Sequence, residues 1–289
     1  MKLRIVSRLD VKGPNLVKGV NLEGLRIIGK PQKFANAYYE DGIDELIYID
    51  TVASLYGRNS LLDLVRLTAK NFFVPLTVGG GVRTIDDIKE ILRAGADKVS
   101  INSAAIKNPN FIKEAVKKFG TSTIVIGIEA QKNLNGIYKC HIENGRQSTD
   151  LDPLEWALKA EELGAGEIFV TAIHKEGTGS GFDKFLLKKL TDKLRIPVIA
   201  SGGAGSLSSI KEVVDYAKVD AVCIASMFHY SLVEKDKHNN KNEVYEEGNT
   251  DFLNSNLKGY KGELSSIKDV KDYLIQNNIN CRKVHNLHE

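Results

Sequence analysis

The sequence repeats two of its blocks at one spacing, and this duplication restricts the possible folds more than any other feature. The segment EDGIDELIYID begins at Glu40 and aligns with ELGAGEIFVTA, which begins 122 residues later at Glu162. The segment PLTVGGGVRTIDDIKE begins at Pro75 and aligns with PVIASGGAGSLSSIKE, again 122 residues later at Pro197. Two matches at the same spacing predict a fold built by duplication of a half-sized unit.

Short runs rich in β-branched residues alternate with amphipathic segments of helical length, such as IDDIKEILRAGA and PNFIKEAVKKFG. Continuously apolar strands are typical of a parallel sheet covered by helices. Eight strand–helix units predict an α/β fold, a single (β/α)8 TIM barrel over residues 1–289, with half-barrels at about 1–120 and 121–289. A doubly wound open sheet is the alternative, but it more often has about five or six strands. The eight predicted strands are LRIVSRL, ELIYID, VPLTV, DKVSI, TIVIGI, EIFVTA, IPVIA and DAVCIA.

Composition excludes several other classes of protein. The 40 Lys and Arg residues nearly balance the 37 Asp and Glu residues, which gives no reason to expect a nucleic-acid partner. No apolar run approaches the roughly 18 residues of a membrane span, and the N-terminus lacks a signal-peptide core. Three widely spaced cysteines suit a reducing cytoplasm and form no metal-binding pattern. We therefore expect a cytoplasmic protein that binds no membrane, no metal and no cofactor.

Two glycine-rich loops occupy corresponding places in the two halves. The first combines Gly80 and Gly81 with Asn102–Ser103, and the second combines Gly202–Gly203 with Ala225–Ser226. Glycine lets backbone amides approach an anion, so the pair predicts two phosphate cradles and an elongated substrate with a phosphate at each end. The alternative is that these glycines only form tight turns. A third glycine-rich loop, HKEGTGSGFD, either closes over the second cradle or is a mobile surface loop.

Two carboxylates end apolar strands in the two halves. The first predicted strand, in IVSRLDVK, ends at Asp10, and the fifth, in IVIGIEAQK, ends at Glu129. Strands one and five lie on opposite sides of an eight-stranded barrel, so the carboxylates would face each other across its mouth. Such a pair can serve as general acid and general base. The alternative is that each carboxylate caps a strand end or pairs with a neighbour such as Lys12 or Lys18.

A polar, Asn-rich insertion interrupts the pattern after the eighth strand, at about residues 233–265. Its position predicts that it extends from the catalytic face of the barrel, ahead of a last helix in SSIKDVKDYLIQNN. A long loop there is a functional lid, a disordered segment or a docking surface for another protein.

At these motifs the chain resembles the HisF family, the cyclase subunit of imidazole glycerol phosphate synthase, over nearly all residues outside the insertion. The matching motifs are LDVK, LVKGVN, DELIYID, VGGGVRT, AGADKVSINSAA, GAGEI, GTGSGFD, PVIASGGAGS and FH. The resemblance implies a (β/α)8 barrel that receives ammonia from a separate glutaminase subunit of the HisH type, bound at its N-terminal face. It also implies conversion of a bisphosphorylated ribulosyl aminoimidazole carboxamide ribotide to imidazole glycerol phosphate and the aminoimidazole ribotide AICAR.

The resemblance also assigns roles to residues by position. It makes Asp10 and Glu129 the catalytic pair and Lys18 a substrate-contacting lysine, and it places the two phosphate sites at the two cradles. The remaining substrate-binding residues that it implies lie in the loop after the sixth strand, and they are Glu176, Gly177 and Thr178.

Four charged residues at strand starts form a further set at the opposite end of the barrel, namely Arg4, Glu45, Lys98 and Glu167. In the family such a ring gates ammonia, and the resemblance places Asp97 at the glutaminase interface. The alternative is an ion network that only fixes the barrel.

Departures from the family motifs leave a second function open. Glu129 stands where the family has aspartate, which extends the carboxylate by about 1.5 Å, and Arg8 replaces the usual cysteine. A misplacement of about 1 Å can lower a rate about 100-fold. The alternative is a HisF-like paralogue that channels glutaminase-derived ammonia to another acceptor, such as a surface-sugar amidination enzyme docked as a third protein at the catalytic face. A phosphosugar isomerase that needs no ammonia is a weaker alternative.

Overall fold

The structure is a computed structural model that describes residues 2–53, 61–236 and 260–284. Its strands, in chain order, are β1 Arg4–Lys12, β2 Asn15–Val20, β3 Glu23–Gly29, β4 Glu45–Asp50, β5 Leu76–Gly79, β6 Lys98–Ile101, β7 Ile124–Lys132, β8 Tyr138–Ile142, β9 Gln147–Ser148, β10 Glu167–Ala172, β11 Val198–Ser201 and β12 Ala221–Ile224. Its α-helices are α1 Pro31–Glu40, α2 Leu62–Ala69, α3 Ile85–Arg93, α4 Ser103–Lys107, α5 Asn110–Phe119, α6 Pro153–Glu162, α7 Lys184–Thr191, α8 Leu207–Ala217, α9 Ser226–Asp236 and α10 Ile267–Gln276. Two 3-10 helices span Thr121–Thr123 and Ile173–Lys175.

Eight parallel strands close into a barrel. The order is β1, β4, β5, β6, β7, β10, β11 and β12, and β12 pairs with β1 to complete the ring. All eight strands coincide with the eight predicted ones, so the prediction of a (β/α)8 barrel is confirmed. The open-sheet alternative is wrong, because a closed ring leaves neither β1 nor β12 as an edge strand.

Two of the barrel strands run further than the sequence predicted. β1 continues past Asp10 and pairs antiparallel with β2, while β7 continues past Glu129 and pairs antiparallel with β8. The hairpin β2–β3 and the strands β8 and β9 were not predicted. Glycine and charged residues interrupt NLVKGV and EGLRIIG, so neither shows a clear strand periodicity. The two acids therefore lie inside long strands rather than at their ends.

Side chains of the barrel strands alternate between two apolar layers. The inner layer fills the barrel with Val6, Ile47, Val125, Phe169, Ile199, Ala221 and Cys223. A larger outer layer packs between the strands and the surrounding helices. On β1, the alternation that turns Val6 inward also turns Arg4, Arg8 and Asp10 toward the barrel axis. We call this inner layer the apolar plug. Polar groups therefore lie on both sides of it along the barrel axis, above it toward the carboxyl ends of the strands and below it toward their amino ends.

The duplicated blocks adopt corresponding conformations. Gly80 and Gly202 both have φ = 93°, a value that favours glycine. The helices that follow, α3 and α8, each begin with a capping box, formed by Thr84 with Asp87 and by Ser206 with Ser209. The same local sequence pattern therefore produces the same loop geometry twice.

The predicted insertion is only partly within the described residues. Residues 233–236 complete helix α9, residues 237–259 lie outside the described part of the chain, and residues 260–265 lead into α10. In the described ranges, no helix is long and apolar enough to cross a membrane. Cys140, Cys223 and Cys281 are all free and buried.

Candidate active site

The two predicted acids stand on opposite barrel strands. Four steps around the ring separate β1, which carries Asp10, from β7, which carries Glu129. Both residues occupy inward-facing positions near the carboxyl ends of their strands, because Val6 and Val125 of the inner layer precede them by even numbers of residues. The carboxyl ends of barrel strands carry the active sites of this architecture.

Glu129 is partly exposed and lines a cavity at the carboxyl end of the barrel. Its Oε2 accepts a hydrogen bond of 2.8 Å from the backbone N–H of Gly145. Burial raises the pKa of Glu129 from 4.5 to about 7, although Arg8 and the Gly145 amide both favour the ionised form. At neutral pH this side chain is therefore present both as an acid and as a carboxylate.

Asp10 is almost completely buried and pairs with Arg8, whose Nε lies 2.6 Å from Asp10 Oδ1. Arg8 points into the barrel, so the Lys12 or Lys18 partner considered from the sequence is wrong for Asp10. Burial alone would lower the pKa of Arg8, but the carboxylates of Asp10 and Glu176 raise it above its ordinary value. The opposed acids therefore differ, because Asp10 is ion-paired with Arg8 whereas Glu129 has a raised pKa.

The cavity at the first glycine cradle has a volume of about 760 Å³. It brings together the first-cradle residues Gly80, Gly81, Asn102 and Ser103 with Glu129. A Cβ on Gly80 would overlap the carbonyl oxygen of Asp50, so only glycine fits this turn. The cavity is also lined by Arg8, which the sequence marked only as a departure from the family, and by residues that the sequence did not single out, including Asp50, Arg83, Lys107, Glu143, Asn144, Phe169 and Thr171.

The first cradle also supports the wall of the cavity. Asn102 Nδ2 donates to the carbonyl of His141 at 3.2 Å, and Ser103 Oγ accepts from the backbone N–H of Glu143 at 3.0 Å. The turn from Glu143 to Gly145 has three consecutive positive φ angles, which are rare outside glycine. Side-chain contacts from the cradle and from Glu129 therefore hold a turn that β8 and β9 alone would not specify.

The second glycine cradle encloses far less space. Its lining includes the predicted residues Glu176, Gly177, Gly202, Gly203, Ala225 and Ser226, around a volume of about 10 Å³. The third glycine-rich loop lies directly against it, because Gly181 N–H donates to the Gly203 carbonyl at 2.8 Å. The predicted residue Thr178 is outside this lining and bonds within its own loop, to the Lys175 carbonyl at 2.8 Å.

Lys18 forms a buried ion pair with Glu176. Burial alone would raise the pKa of Glu176, but the charges of Lys18 and Arg8 lower it by more, so the net shift is downward. Removing one partner of such a buried pair strongly destabilises the folded protein, because the other charge is left buried without a partner. Lys18 therefore connects the β2–β3 hairpin to the loop after β10.

The end of the insertion packs on the second cradle. Tyr260 Oη donates to the Ala204 carbonyl at 2.8 Å, and Glu263 N–H donates to the Gly205 carbonyl at 2.8 Å. The Tyr260 ring also stacks on Tyr230 of α9, with ring centroids 5.8 Å apart. We call residues 260–263 the covering segment, because they close the second cradle from outside.

A histidine, His174, lies in the 3-10 helix that follows β10. His174 Nε2 lies 3.0 Å from Asp183 Oδ2, and Tyr138 Oη donates to the same oxygen at 2.7 Å. Burial alone would raise the pKa of Asp183, but the bonds from His174, Leu186 and Tyr138 lower it to about 2. This cluster fixes the start of α7 and does not line either cradle.

The four strand-start charges meet at the other end of the barrel. Glu45 Oε1 lies 2.9 Å from Arg4 Nη1 and 3.2 Å from Lys98 Nζ. Glu167 Oε2 lies 3.0 Å from Lys98 Nζ, and Glu167 also pairs with Arg4. The two bases and two acids therefore form one closed ring, which we call the charged ring, below the apolar plug.

Asp97, predicted at the glutaminase interface, is exposed next to this ring. One of its carboxylate oxygens accepts a 2.8 Å hydrogen bond from the backbone N–H of Leu76. Asp220, its counterpart in the second half, does the same for Val198 at 2.9 Å. Asp97 therefore has a structural contact as well as an exposed position. Within the described residues, no cluster of His, Cys, Asp or Glu could hold a metal ion.

Comparison with known proteins agrees with this arrangement. Residues 4–234 match the family described as histidine biosynthesis protein. The chain is 54% identical over 205 residues to imidazole glycerol phosphate synthase subunit HisF of Legionella pneumophila, covering 71% of this chain and 97% of that protein. It is 42% identical over 230 residues to the subunit of the same name from Alkaliphilus metalliredigens (strain QYMF), covering 80% of this chain and 91% of that protein. The chain therefore belongs to the histidine biosynthesis protein family and, within it, to the HisF subunits of imidazole glycerol phosphate synthase.

Proposed function

We propose that the chain is the cyclase subunit of a glutamine-dependent imidazole glycerol phosphate synthase. It uses ammonia to convert a bisphosphorylated ribulosyl aminoimidazole carboxamide ribotide to imidazole glycerol phosphate and AICAR. The observation that carries the proposal is the opposition of Asp10 and Glu129 at the carboxyl end of one closed barrel, next to a phosphate cradle and a large cavity.

The different environments of the two acids support different tasks for them. Asp10 lies in an ion pair with Arg8 and is the base that accepts a proton from the substrate or from ammonia. Glu129, with its pKa raised to about 7 mainly by burial, is the acid that donates a proton to the leaving or condensing group. Addition of ammonia to a carbonyl and release of AICAR each require proton transfers that such a pair supplies.

The charged ring supports the choice of ammonia as the nitrogen donor. It lies at the amino ends of β1, β4, β6 and β10, at the opposite end of the barrel from the two acids. A glutaminase subunit bound at this face would release ammonia beside Arg4 and Lys98. The exposed carboxylate of Asp97 would then contribute to the interface.

The direct test is an assay of the purified chain with the bisphosphorylated ribotide and excess ammonium salt. We expect imidazole glycerol phosphate and AICAR in equal amounts, detected by liquid chromatography. Asp10→Asn should abolish both products, whereas Asp63→Asn, at an exposed position on α2, should leave the rate unchanged. Absence of product from the wild-type chain would overturn the proposed function.

A second candidate function is supported by the second cradle, which encloses only about 10 Å³ beneath the covering segment. A barrel that passes glutaminase-derived ammonia to another enzyme would need the charged ring but not an open second phosphate site. The third protein would then dock on the catalytic face, next to the covering segment. This reading predicts glutamine-dependent nitrogen transfer to the third enzyme's substrate and no turnover of the ribotide.

A further inference from the structure

Arg8 is a buried side chain that the sequence marked only as a departure from the family. Its side chain is 2% exposed and lies above the apolar plug, with the guanidinium carbon 6.0 Å from the centroid of the Phe169 ring. Nε bonds to Asp10 at 2.6 Å, and Nη1 bonds to Thr171 Oγ1 at 3.2 Å. These contacts fix the plane of the guanidinium group, since two of its nitrogens already have partners on β1 and β10.

The third nitrogen, Nη2, has no hydrogen-bond partner among the described residues. A buried donor without a partner is costly, and native structures seldom leave one unexplained. Arg8 lines the 760 Å³ cavity, and Nη2 itself is buried. The unpaired donor therefore marks a place where an acceptor atom of a ligand belongs.

The charges around Arg8 indicate what kind of acceptor fits. The carboxylates of Asp10, Glu176 and Glu129 all act on the guanidinium group, and the ammonium group of Lys18 pairs with Glu176. These anions already balance the charge of Arg8, so a further phosphate next to it would be opposed. A neutral oxygen, such as a hydroxyl or carbonyl, accepts the hydrogen bond without adding charge.

The position of the cradles agrees with this choice. The first cradle and Glu129 line the same cavity as Arg8, and Arg8 bonds to Asp10 on its own strand, β1, which lies opposite the strand of Glu129. A phosphate at Gly80 and Gly81 would leave the sugar chain of the ligand extending toward the two acids. The part of such a ligand that reaches Arg8 is therefore its hydroxylated or carbonyl-bearing carbon chain.

We propose that Arg8 is a further substrate-binding residue, whose Nη2 donates a hydrogen bond to a hydroxyl or carbonyl oxygen of an open-chain sugar phosphate held between the two acids. The proposal rests on the proposed function, which supplies such a substrate. Lysine cannot reproduce it, since one ammonium group cannot keep the contacts with Asp10 and Thr171 and also reach a ligand in the fixed geometry of the arginine fork.

The test compares Arg8→Lys with the wild-type chain by isothermal titration calorimetry in the absence of ammonia. Two probes are titrated, namely the bisphosphorylated ribotide and inorganic phosphate, which we expect to occupy a cradle without contacting Arg8. Loss of one charge-assisted hydrogen bond should weaken ribotide binding about tenfold, while phosphate binding stays within twofold. Arg66→Lys, an exposed arginine on α2, is the matched control and should change neither.

Each outcome separates the two proposals. Equal ribotide affinity for Arg8→Lys and wild type would overturn the role of Arg8 and leave the proposed function intact. A parallel loss of ribotide and phosphate binding would show that Arg8 acts only by holding the site together, which also contradicts the proposal. Ribotide binding by neither protein would overturn both proposals. If Arg8→Lys does not fold, as thermal unfolding would show, Arg8→Gln replaces it with an uncharged amide.

Discussion

A carboxyl group that is partly removed from water keeps its proton to higher pH than one in bulk water, and Glu129 is such a group. Its pKa of about 7 lies above the ordinary value of 4.5, chiefly because burial disfavours the charged form. Ionisation between those values is less favourable in the folded chain than in the unfolded one. The contribution of Glu129 to stability is therefore complete below about pH 4.5 and is lost as the pH rises through about 7.

The same shift predicts a pH dependence of the reaction. If Glu129 donates a proton, kcat/KM of the ammonium-dependent reaction should fall above about pH 7, with ammonia kept saturating at each pH. Glu129→Gln cannot donate that proton, so we expect a loss of about 100-fold or more and no inflection near pH 7. Glu162→Gln, at an exposed site on α6, is the control. An inflection that persists in Glu129→Gln would assign it to another group.

At the residue scale the sequence identified the acids but not what surrounds them. Asp10 and Glu129 were visible because each interrupts an apolar strand. The pairing of Asp10 with Arg8 follows from their spacing of two residues, which places both on the inner face of β1. The bond from Gly145 to Glu129 could not be predicted, because it depends on the unpredicted turn between β8 and β9.

At the scale of elements, the glycine cradles depend on backbone space as well as on backbone conformation. Gly80 and Gly120 have nearly the same φ, 93° and 90°. A Cβ at Gly80 would overlap the Asp50 carbonyl, whereas a Cβ at Gly120 would meet no atom within 4 Å. Gly80→Ala should therefore destabilise the fold by about 1–3 kcal/mol more than Gly120→Ala. Urea unfolding of the two variants measures this difference, and equal losses would contradict the overlap.

The covering segment provides a second test at this scale. Tyr260→Phe keeps the ring that stacks on Tyr230 but removes the hydrogen bond to Ala204. Losing that bond should cost about 0.5–1.5 kcal/mol locally, and it should change the apparent affinity for the ribotide by about 2- to 10-fold. Tyr216→Phe, at an exposed position on α8, should have no effect. An unchanged affinity for Tyr260→Phe would separate the covering segment from ligand binding.

The barrel strands could be predicted from the sequence, whereas the β2–β3 hairpin could not. Barrel strands are continuous apolar runs, so their number and order of appearance could be read from periodicity. The β2–β3 hairpin could not, because its pairing depends on β1 and on a turn with positive φ at Asn21 and Leu22. The first four residues of the predicted insertion, 233–236, belong to helix α9, which has no clear apolar periodicity, so the end of that helix could not be predicted.

At the scale of the whole molecule, the two ends of the barrel carry different chemistry. The charged ring at one end and the acids at the other are separated by an apolar layer that includes Val6, Val125 and Phe169. Both ends were predicted from strand-start and strand-end positions, because a closed parallel barrel brings equivalent strand positions together. Which acid pairs with which base in the charged ring depends on side-chain geometry, so the sequence could not predict it.

The charged ring predicts a difference between the two nitrogen sources. Lys98 contacts both Glu45 and Glu167, so Lys98→Ala opens the ring on one side. We expect it to lower glutamine-dependent turnover at least several-fold while ammonium-dependent turnover changes less, because dissolved ammonia can reach the acids from the open face. Lys159→Ala, at an exposed site on α6, serves as control. Equal effects of Lys98→Ala on both reactions would assign the ring a structural role only.

Transfer of ammonia from the charged ring to the two acids is tested most directly by following the nitrogen atom through the assembled complex. The chain, its glutaminase partner and the bisphosphorylated ribotide are incubated with glutamine labelled with ¹⁵N at the side-chain amide, in the presence of excess unlabelled ammonium. We expect imidazole glycerol phosphate whose ¹⁵N content exceeds the value set by mixing with the bulk ammonium, and mass spectrometry measures that excess. Glutamine hydrolysis without imidazole glycerol phosphate, or product with only the bulk isotope ratio, would contradict it.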